Sequence, residues 1–453
     1  MNKYLFIIGF AGMALFSACS TSDDLTADIP PSSGLSEEEK ALIIEAGKDS
    51  DVPITLGSVG SSRATTRTPI DSDGGDLFVT PAGQYLGVFC LAQGIQAGAP
   101  DIDAIPDTDA DVKWNGTCQH ANWLENIPAE VCKHTSGDPS PIGGGGSQDY
   151  SYIQFKTDDF SGNKIYYYPF GNWYHYDFFA YYPRQASVTT IAKSSYVDFT
   201  ITGKEDIIWA HAAGGASIID AFSGNDVKSY SSKYIRLKKE SGSEEIDVVP
   251  SFSFKHKLTQ LTFSVKPHAA DANSLFTKGF AVTGMELQDV YYNLHMVVAS
   301  KTEETTDIAG TLSIPNTTSV YSVTDIPVWN PTDDSDPFNG GTVSFPVANS
   351  SSDTSTKGIG YMLVPPSNMI AGTPHHHFLL NIHMSQTSGD PVPDTVITLQ
   401  EPTDDVDGDG NPDGFAAGHK YNITIEIYNP TNIQATATLA DWNDEAETVI
   451  GVD

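Results

Sequence analysis

Basic residues are scarce in this sequence, with 24 lysines and arginines against 58 aspartates and glutamates and a formal net charge of −34. Because phosphate backbones are held by positive charge, this imbalance excludes nucleic acid as a natural partner. The charge suits a well-hydrated exterior or the binding of divalent cations. Cysteine is scarce as well, with four in 453 residues, and the cysteine spacing does not match a zinc site.

Apolar runs as long as the ~18 residues of a membrane helix are also missing. The run at residues 4–16 (YLFIIGFAGMALF) has the length of a signal-peptide core, with Lys3 before it and Ser17-Ala18-Cys19 after it. This pattern predicts a lipoprotein signal peptide over residues 1–18 and a lipidated mature N-terminus at Cys19. Ser20 to Asp24 resemble the acidic signal that directs lipoproteins of certain Gram-negative anaerobes to the outer face of the outer membrane. We therefore expect a surface-exposed lipoprotein anchored by its lipid alone.

Helical periodicity is nearly absent after Thr68, where short runs rich in β-branched and aromatic residues alternate with clusters of Gly, Pro, Asn and Asp. This alternation predicts an all-β chain built from β-sandwiches. The length allows two domains, which we place at residues 68–248 and 249–453, with the charged stretch 238–247 at their boundary. The clearest predicted strands are Tyr85–Leu91, Tyr174–Tyr182, Phe252–Val265, Met285–Val298, His376–Met384 and Tyr421–Tyr428.

Residues 19–67 form a polar leader before the first domain. Within it, Val52, Ile54 and Leu56 alternate with Pro53 and Thr55, which is the pattern of one isolated strand with a single apolar face. The stretch that follows, residues 60–67 (GSSRATTR), is small, polar and twice interrupted by arginine. We predict that it is an exposed, protease-sensitive linker.

Three cysteines remain after Cys19, so a single disulfide leaves one thiol over. Cys118 and Cys132 would close a loop of about 15 residues, and we predict a disulfide between them in an oxidising compartment. Cys90 follows the apolar run Leu86–Phe89. We expect it to be a buried free thiol.

An acidic segment near the end of the chain follows part of a calcium-loop pattern, with oxygen ligands at alternate positions and Gly410 at the sharp turn. Position 12 of the pattern is Ala416 instead of the bidentate glutamate. A weak calcium site and a solvated acidic hairpin loop therefore both stay open, and no other cofactor is required. The candidate calcium ligands are Asp405, Asp407, Asp409 and Asp413.

Eleven aromatic residues fall between Tyr166 and Tyr182. Alternation along a strand would send one side of this stretch into the core, and the alternative is a platform on which sugars stack. The sequence has no nucleophile elbow, no zincin helix and no phosphate-binding glycine loop. We therefore expect a protein that is not an enzyme.

Taken in order, these features resemble the fimbrillin family, the shaft and tip subunits of type V pili and their lipoprotein relatives. The resemblance implies two transthyretin-like Greek-key β-sandwich domains in tandem, no enzymatic activity, and cleavage by a surface protease after Arg63 or Arg67. It also implies other pilin subunits as partners. The residues that carry it are the Cys19 lipobox, the arginine-containing linker, Tyr85–Phe89, Tyr176–Pro183, Asp206–Ala210, Phe254–Phe263, Tyr361–Pro365, Gly418–Ile425 and Ala440–Trp442.

In this interpretation the strand with Val52, Ile54 and Leu56 caps the first domain until cleavage removes it together with the lipid anchor. A neighbouring subunit then inserts a strand of its own by β-augmentation. The alternative is a monomeric, lipid-anchored surface protein that binds a glycan or a host ligand and keeps its anchor. The candidate donor residues, which could equally belong to plain closing strands of the second domain, are Ile433, Ala435, Ala437, Leu439, Val449, Ile450 and Val452.

Overall fold

The computed structural model of the chain describes the mature protein from the leader to the last predicted strand, with gaps. Among its described residues no helix is long and apolar enough to cross a membrane. Several predicted residues lie outside the description, namely Cys19, Arg63, Arg67, Cys118, Asp407, Asp409, Val449, Ile450 and Val452. The described residues are 52–59, 71–72, 78–95, 122–134, 150–168, 174–191, 194–214, 230, 249–300, 308–315, 322–330, 333–338, 344–367, 369, 378–403, 405–406, 410, 412–429 and 432–440.

These residues form strands almost throughout, and the predicted all-β fold class is confirmed. The strands are β1 (Leu56–Val59), β2 (Asp71–Ser72), β3 (Phe78–Val79), β4 (Leu86–Ile95), β5 (Asn122–His134), β6 (Tyr150–Phe155), β7 (Tyr174–Tyr182), β8 (Thr189–Ile191), β9 (Ser194–Thr200), β10 (Ile208–Ala212), β11 (Ser251–Ser253), β12 (Lys255–His256), β13 (Thr259–Pro267), β14 (Ala281–Tyr291), β15 (Asn293–Ser300), β16 (Leu312–Ser313), β17 (Val323–Asn330), β18 (Asp333–Phe338), β19 (Phe345–Pro346), β20 (Lys357–Val364), β21 (Leu379–Ser385), β22 (Thr395–Thr398), β23 (Lys420–Asn429) and β24 (Asn432–Ala440).

The first large sheet, here called the N-terminal sheet, has the strand order β11-β1-β6-β5-β4-β7-β10-β12. Its two end strands are consecutive in the chain and are separated only by Phe254. β11 pairs in parallel with β1, and β12 pairs antiparallel with β10. One short segment, residues 251–256, therefore holds both ends of the sheet and closes it.

The second large sheet has the order β22-β21-β14-β17-β20-β13-β23-β24, with β18 added beside β17 and β19 beside β14. A smaller sheet has the order β16-β15-β9-β8. The described residues contain one α-helix, α1 (Ala272–Lys278), which follows β13. It ends at Gly279, whose φ of 62° lies in the left-handed region that favours glycine. The sequence analysis did not predict this helix.

Two buried clusters form the cores of the protein. Val88, Cys90 and Phe178 belong to the cluster inside the N-terminal sheet, here called the N-terminal core. Phe89 and Phe179, which alternate with them, belong to a larger cluster shared with the second sheet, here called the C-terminal core. Strands β4 and β7 are thus buried on both faces, as their nearly continuous apolar runs require.

Strand pairing crosses the predicted boundary between residues 248 and 249 in both directions. β11 lies after the boundary, yet it pairs with β1 in the N-terminal sheet. β9 lies before it, yet it pairs antiparallel with β15. The predicted strand Phe252–Val265 is divided among β11, β12 and β13, and Met285–Val298 is divided between β14 and β15.

Candidate functional site

The strand predicted in the leader, residues 52–59, is the candidate functional element and is called the leader strand. Its alternating side chains Val52, Ile54 and Leu56 are only 6%, 4% and 0% exposed and belong to the N-terminal core. Pro53 and Thr55 between them are half-buried. Because successive side chains of a strand point to opposite faces, the period of two in the sequence places all three aliphatic side chains in one core.

One edge of the leader strand is bound along its length. The Ile54 N–H donates to the Tyr166 carbonyl at 2.8 Å, and the Tyr168 N–H donates to the Val52 carbonyl at 3.0 Å. Further along, β1 pairs antiparallel with β6, so that Leu56 lies opposite Ile153. The backbone groups on this edge therefore have partners from the start of the leader strand onward.

The opposite edge is bound by the segment that closes the sheet. The Gly57 N–H donates to the Pro250 carbonyl at 2.9 Å, and β1 runs parallel to β11 with Gly57 opposite Ser251 and Val59 opposite Ser253. The leader strand is therefore an interior strand. Its surroundings, namely β6, Tyr166–Tyr168, Pro250, β11 and the N-terminal core beneath, are called the seat.

The floor of the seat is aromatic. Tyr168 packs edge-to-face on Phe178 with 6.0 Å between ring centroids, and Phe155 packs in the same way on Tyr166 at 5.2 Å. Phe252 of β11 is fully buried in the same cluster. Burial of three aliphatic side chains on this floor contributes ~1.5–3 kcal/mol each, or about 5 to 9 kcal/mol together. The leader strand thus supplies a substantial part of the N-terminal core.

The aromatic stretch from Tyr166 to Tyr182 serves mainly as core. Its buried members divide between the two cores according to their alternation along the strand, which favours the core interpretation over a sugar platform. Among the members whose burial is described, only Tyr167 is exposed, at 42%. The buried members are Tyr168, Tyr176, Phe178, Phe179, Tyr181 and Tyr182.

The predicted donor residues of the C-terminal strand close the second sheet. β24 pairs antiparallel with β23 from Asn432 to Ala440. Ile433, Ala435 and Ala437 are half-buried and pack on the C-terminal core, whereas Leu439 is 39% exposed. This is the arrangement of a closing edge strand, the alternative that the sequence left open.

The described part of the acidic loop directs its carboxylates to the loop's own backbone. Asp405 Oδ2 accepts the Gly410 N–H at 2.8 Å, and Asp413 Oδ2 accepts the Val406 N–H at 2.8 Å. Within the described residues no three His, Cys, Asp or Glu side chains are grouped as metal ligands. These bonds are those of an acidic hairpin loop, and calcium binding stays a prediction.

Cys132 has a free thiol in the structure, whereas we predicted a disulfide with Cys118, which lies outside the described residues. Cys132 lies within β5 opposite Tyr152 of β6. Burial and the neighbouring Glu130 carboxylate raise the pKa of its thiol. The predicted free thiol at Cys90 is buried, and burial followed by the Asp177 carboxylate raises its pKa well above the ordinary value.

These raised pKa values predict slow thiol chemistry, because the thiolate is the reactive form. In the mature chain carrying Cys118→Ser, Ellman's reagent at pH 8 should label half-buried Cys132 slowly and Cys90 only after denaturation. Stopped-flow absorbance measures both rates. Cys132→Ser should remove the slow phase, and labelling of native Cys90 as fast as in denaturant would contradict the burial described above.

Sequence reasoning missed the second edge of the seat. It assigned residues 251–253 to the C-terminal domain, so Pro250 and Ser251 were not predicted to contact the leader strand. It also gave no role to Gly57, which lies against Ser251. The alternation of Phe252 and Phe254, both buried in the N-terminal core, was a signal that could have placed this segment with the first sheet.

Comparison with known proteins was made with this geometry in hand. A family model described as fimbrillin-like matches residues 122–442, more than two thirds of the chain. No curated protein matches the sequence. Three solved structures align at low similarity. The tip fimbrial protein Mfa3 of Porphyromonas gingivalis, with a C-terminal truncation, is 10% identical, with a TM-score of 0.32 and coverage of 86% of this chain and 99% of that one.

The second is a fimbrilin of Porphyromonas gingivalis, 8% identical, with a TM-score of 0.36 and coverage of 87% of this chain and 98% of that one. The third is a fimbrial assembly protein of Parabacteroides distasonis, 10% identical, with a TM-score of 0.36 and coverage of 86% and 98%. The assignment of the chain rests on the family model.

Proposed function

Because this chain belongs to the fimbrillin-like family, we propose that it is a structural or adhesive subunit of a cell-surface fimbria, assembled by exchange of its leader strand. The single observation that supports strand exchange is the position of the leader strand inside the N-terminal sheet. Both of its edges are paired and three of its side chains lie in the core. Its departure would leave two unpaired edges above an apolar floor, which another strand must fill.

The order of events follows from the chain's connectivity. Cys19 carries the lipid that holds the precursor at the outer membrane, and the leader strand lies between Cys19 and the linker with Arg63 and Arg67. A cut after either arginine by a surface protease separates lipid and leader strand from the rest of the chain in one step. Cleavage thereby couples release from the membrane to opening of the seat.

The proposal is tested by the double substitution Arg63→Ala/Arg67→Ala in the native cell. We expect the variant to stay cell-bound as a single species, whereas the unmodified chain appears in sheared, high-mass material on unboiled gels. Ser61→Ala/Ser62→Ala, in the same linker, is the matched control and should behave like the unmodified chain. High-mass material formed equally by the arginine variant would contradict the proposal, and the two single variants identify the arginine that is cut.

A further inference from the structure

We propose that the seat is filled by a strand from a different protein, one with three large aliphatic side chains at alternate positions followed directly by glycine. This inference rests on the proposed function and adds the nature of the partner. It is carried by two observations: the close approach of Gly57 to β11, and the small side chains of the chain's own C-terminal strand.

Gly57 is where the leader strand approaches its parallel neighbour most tightly. A Cβ atom added at Gly57 would lie 2.9 Å from Ser251 Oγ and 3.6 Å from Val249 Cγ1. Ser251 Oγ in turn donates to the Val249 carbonyl at 3.3 Å. Any side chain at this position must displace the serine hydroxyl. A strand that enters the seat in the direction of the leader strand therefore needs glycine directly after its third core residue.

The chain's own C-terminal strand does not meet the size requirement. Its apolar positions are Ile433, Ala435, Ala437 and Leu439, so any three consecutive ones include both alanines, in either direction. In the register that puts Ile433, Ala435 and Ala437 where the three core residues of the leader strand lie, Thr438 falls at Gly57. Two large aliphatic side chains would be lost from a closely packed core, and each such truncation leaves an unfilled cavity.

The same strand is also engaged elsewhere. β24 pairs with β23 along its whole length, and its inward side chains pack on the C-terminal core. The last residues of the chain do not supply a better match. Aligning Gly451 with Gly57 places Ile450 in the third core position, but Thr448 and Ala446 in the other two. The sequence that fits the seat must therefore come from another protein.

The experiment uses the full mature chain, residues 20–453, with a specific protease site inserted after Gly60 and then cut. Biotinylated nine-residue peptides are added in excess, and incorporation is followed on unboiled gels. The peptides are residues 52–60, residues 432–440, and residues 432–440 carrying Ala435→Ile, Ala437→Leu and Thr438→Gly. We expect the first and third to enter the seat and the second to enter at least about a hundredfold less.

Incorporation of the unmodified 432–440 peptide within threefold of the leader peptide would overturn the inference and leave strand exchange standing. Failure of the leader peptide itself to enter the cut chain would overturn strand exchange, and this inference with it. The two failures are thus distinguishable. As a second measurement, the cut chain alone should stay monomeric by light scattering, and a ladder formed by the cut chain alone would also overturn the inference.

The glycine requirement has a separate test. A leader peptide carrying Gly57→Ala should enter the cut chain about tenfold less than the unmodified peptide, because its Cβ meets Ser251 Oγ. A chain carrying Ser251→Ala should restore entry, since the nearest serine atom left, Cβ, would be 3.7 Å away. Equal entry of both peptides into the unmodified chain would contradict the requirement.

Discussion

A disulfide between cysteines introduced by Ser58→Cys and Ser151→Cys is expected to hold the leader strand in its seat and to abolish fibre formation after the linker is cut. The two residues lie directly opposite each other in the antiparallel pair β1–β6. Opposite Cα atoms in such a pair are ~4.5–5.5 Å apart, within the ~4.4–6.8 Å that a disulfide spans. The bridge would prevent the departure on which assembly depends.

Two measurements check this result. On non-reducing gels the cut chain should keep its leader fragment, and sheared material should show no high-mass ladder until a reductant is added. The control is Thr190→Cys/Ser195→Cys, an opposed pair in β8–β9 far along the chain from the leader. That bridge should leave assembly unchanged. Fibres formed by the oxidised Ser58→Cys/Ser151→Cys chain would show that assembly does not require the leader strand to leave.

The second large effect is expected from Leu56→Ala. Leu56 is fully buried in the N-terminal core, and truncation of a buried leucine to alanine costs ~2–5 kcal/mol through lost burial and the cavity left behind. Local opening of the leader strand should become easier by the same amount. At the lower end of this range, amide hydrogen exchange of residues 52–59 accelerates about thirtyfold.

Hydrogen exchange of the uncut chain, followed by mass spectrometry on the peptide that covers the leader strand, measures this change. Leu439→Ala is the matched control, because Leu439 lies on an edge strand and is 39% exposed. It should leave leader-strand exchange unchanged, since its side chain belongs to the other sheet. Unaltered protection in Leu56→Ala would show that the leader strand is not held by its core side chains.

Much of the leader strand could be predicted from the sequence because its cause is local. The alternation of Val52, Ile54 and Leu56 with Pro53 and Thr55 is a period of two, and the structure places the three aliphatic residues in one core. The same argument located most other strands. The alternation of Ile433, Ala435 and Ala437 likewise predicted β24, although it could not decide whether that strand closes the second sheet or leaves it.

The remaining features depend on pairings between distant residues. The contact of Gly57 with Ser251 joins positions almost two hundred residues apart, and no local pattern encodes it. The three residues of β11 are too few to show a period, so they were joined to the longer apolar run of the second domain. The seven-residue helix α1 was missed for the same reason, although Asp271 and Gly279 bracket it.

The measurement that tests the central proposal most directly is the N-terminus of the assembled protein. Cells are sheared, the released material is separated without boiling, and the N-terminal peptide is identified by mass spectrometry. Removal of the leader strand predicts a high-mass ladder whose subunits begin at Ala64 or Thr68, directly after Arg63 or Arg67. A single species that retains lipidated Cys19 and residues 52–59 would contradict it.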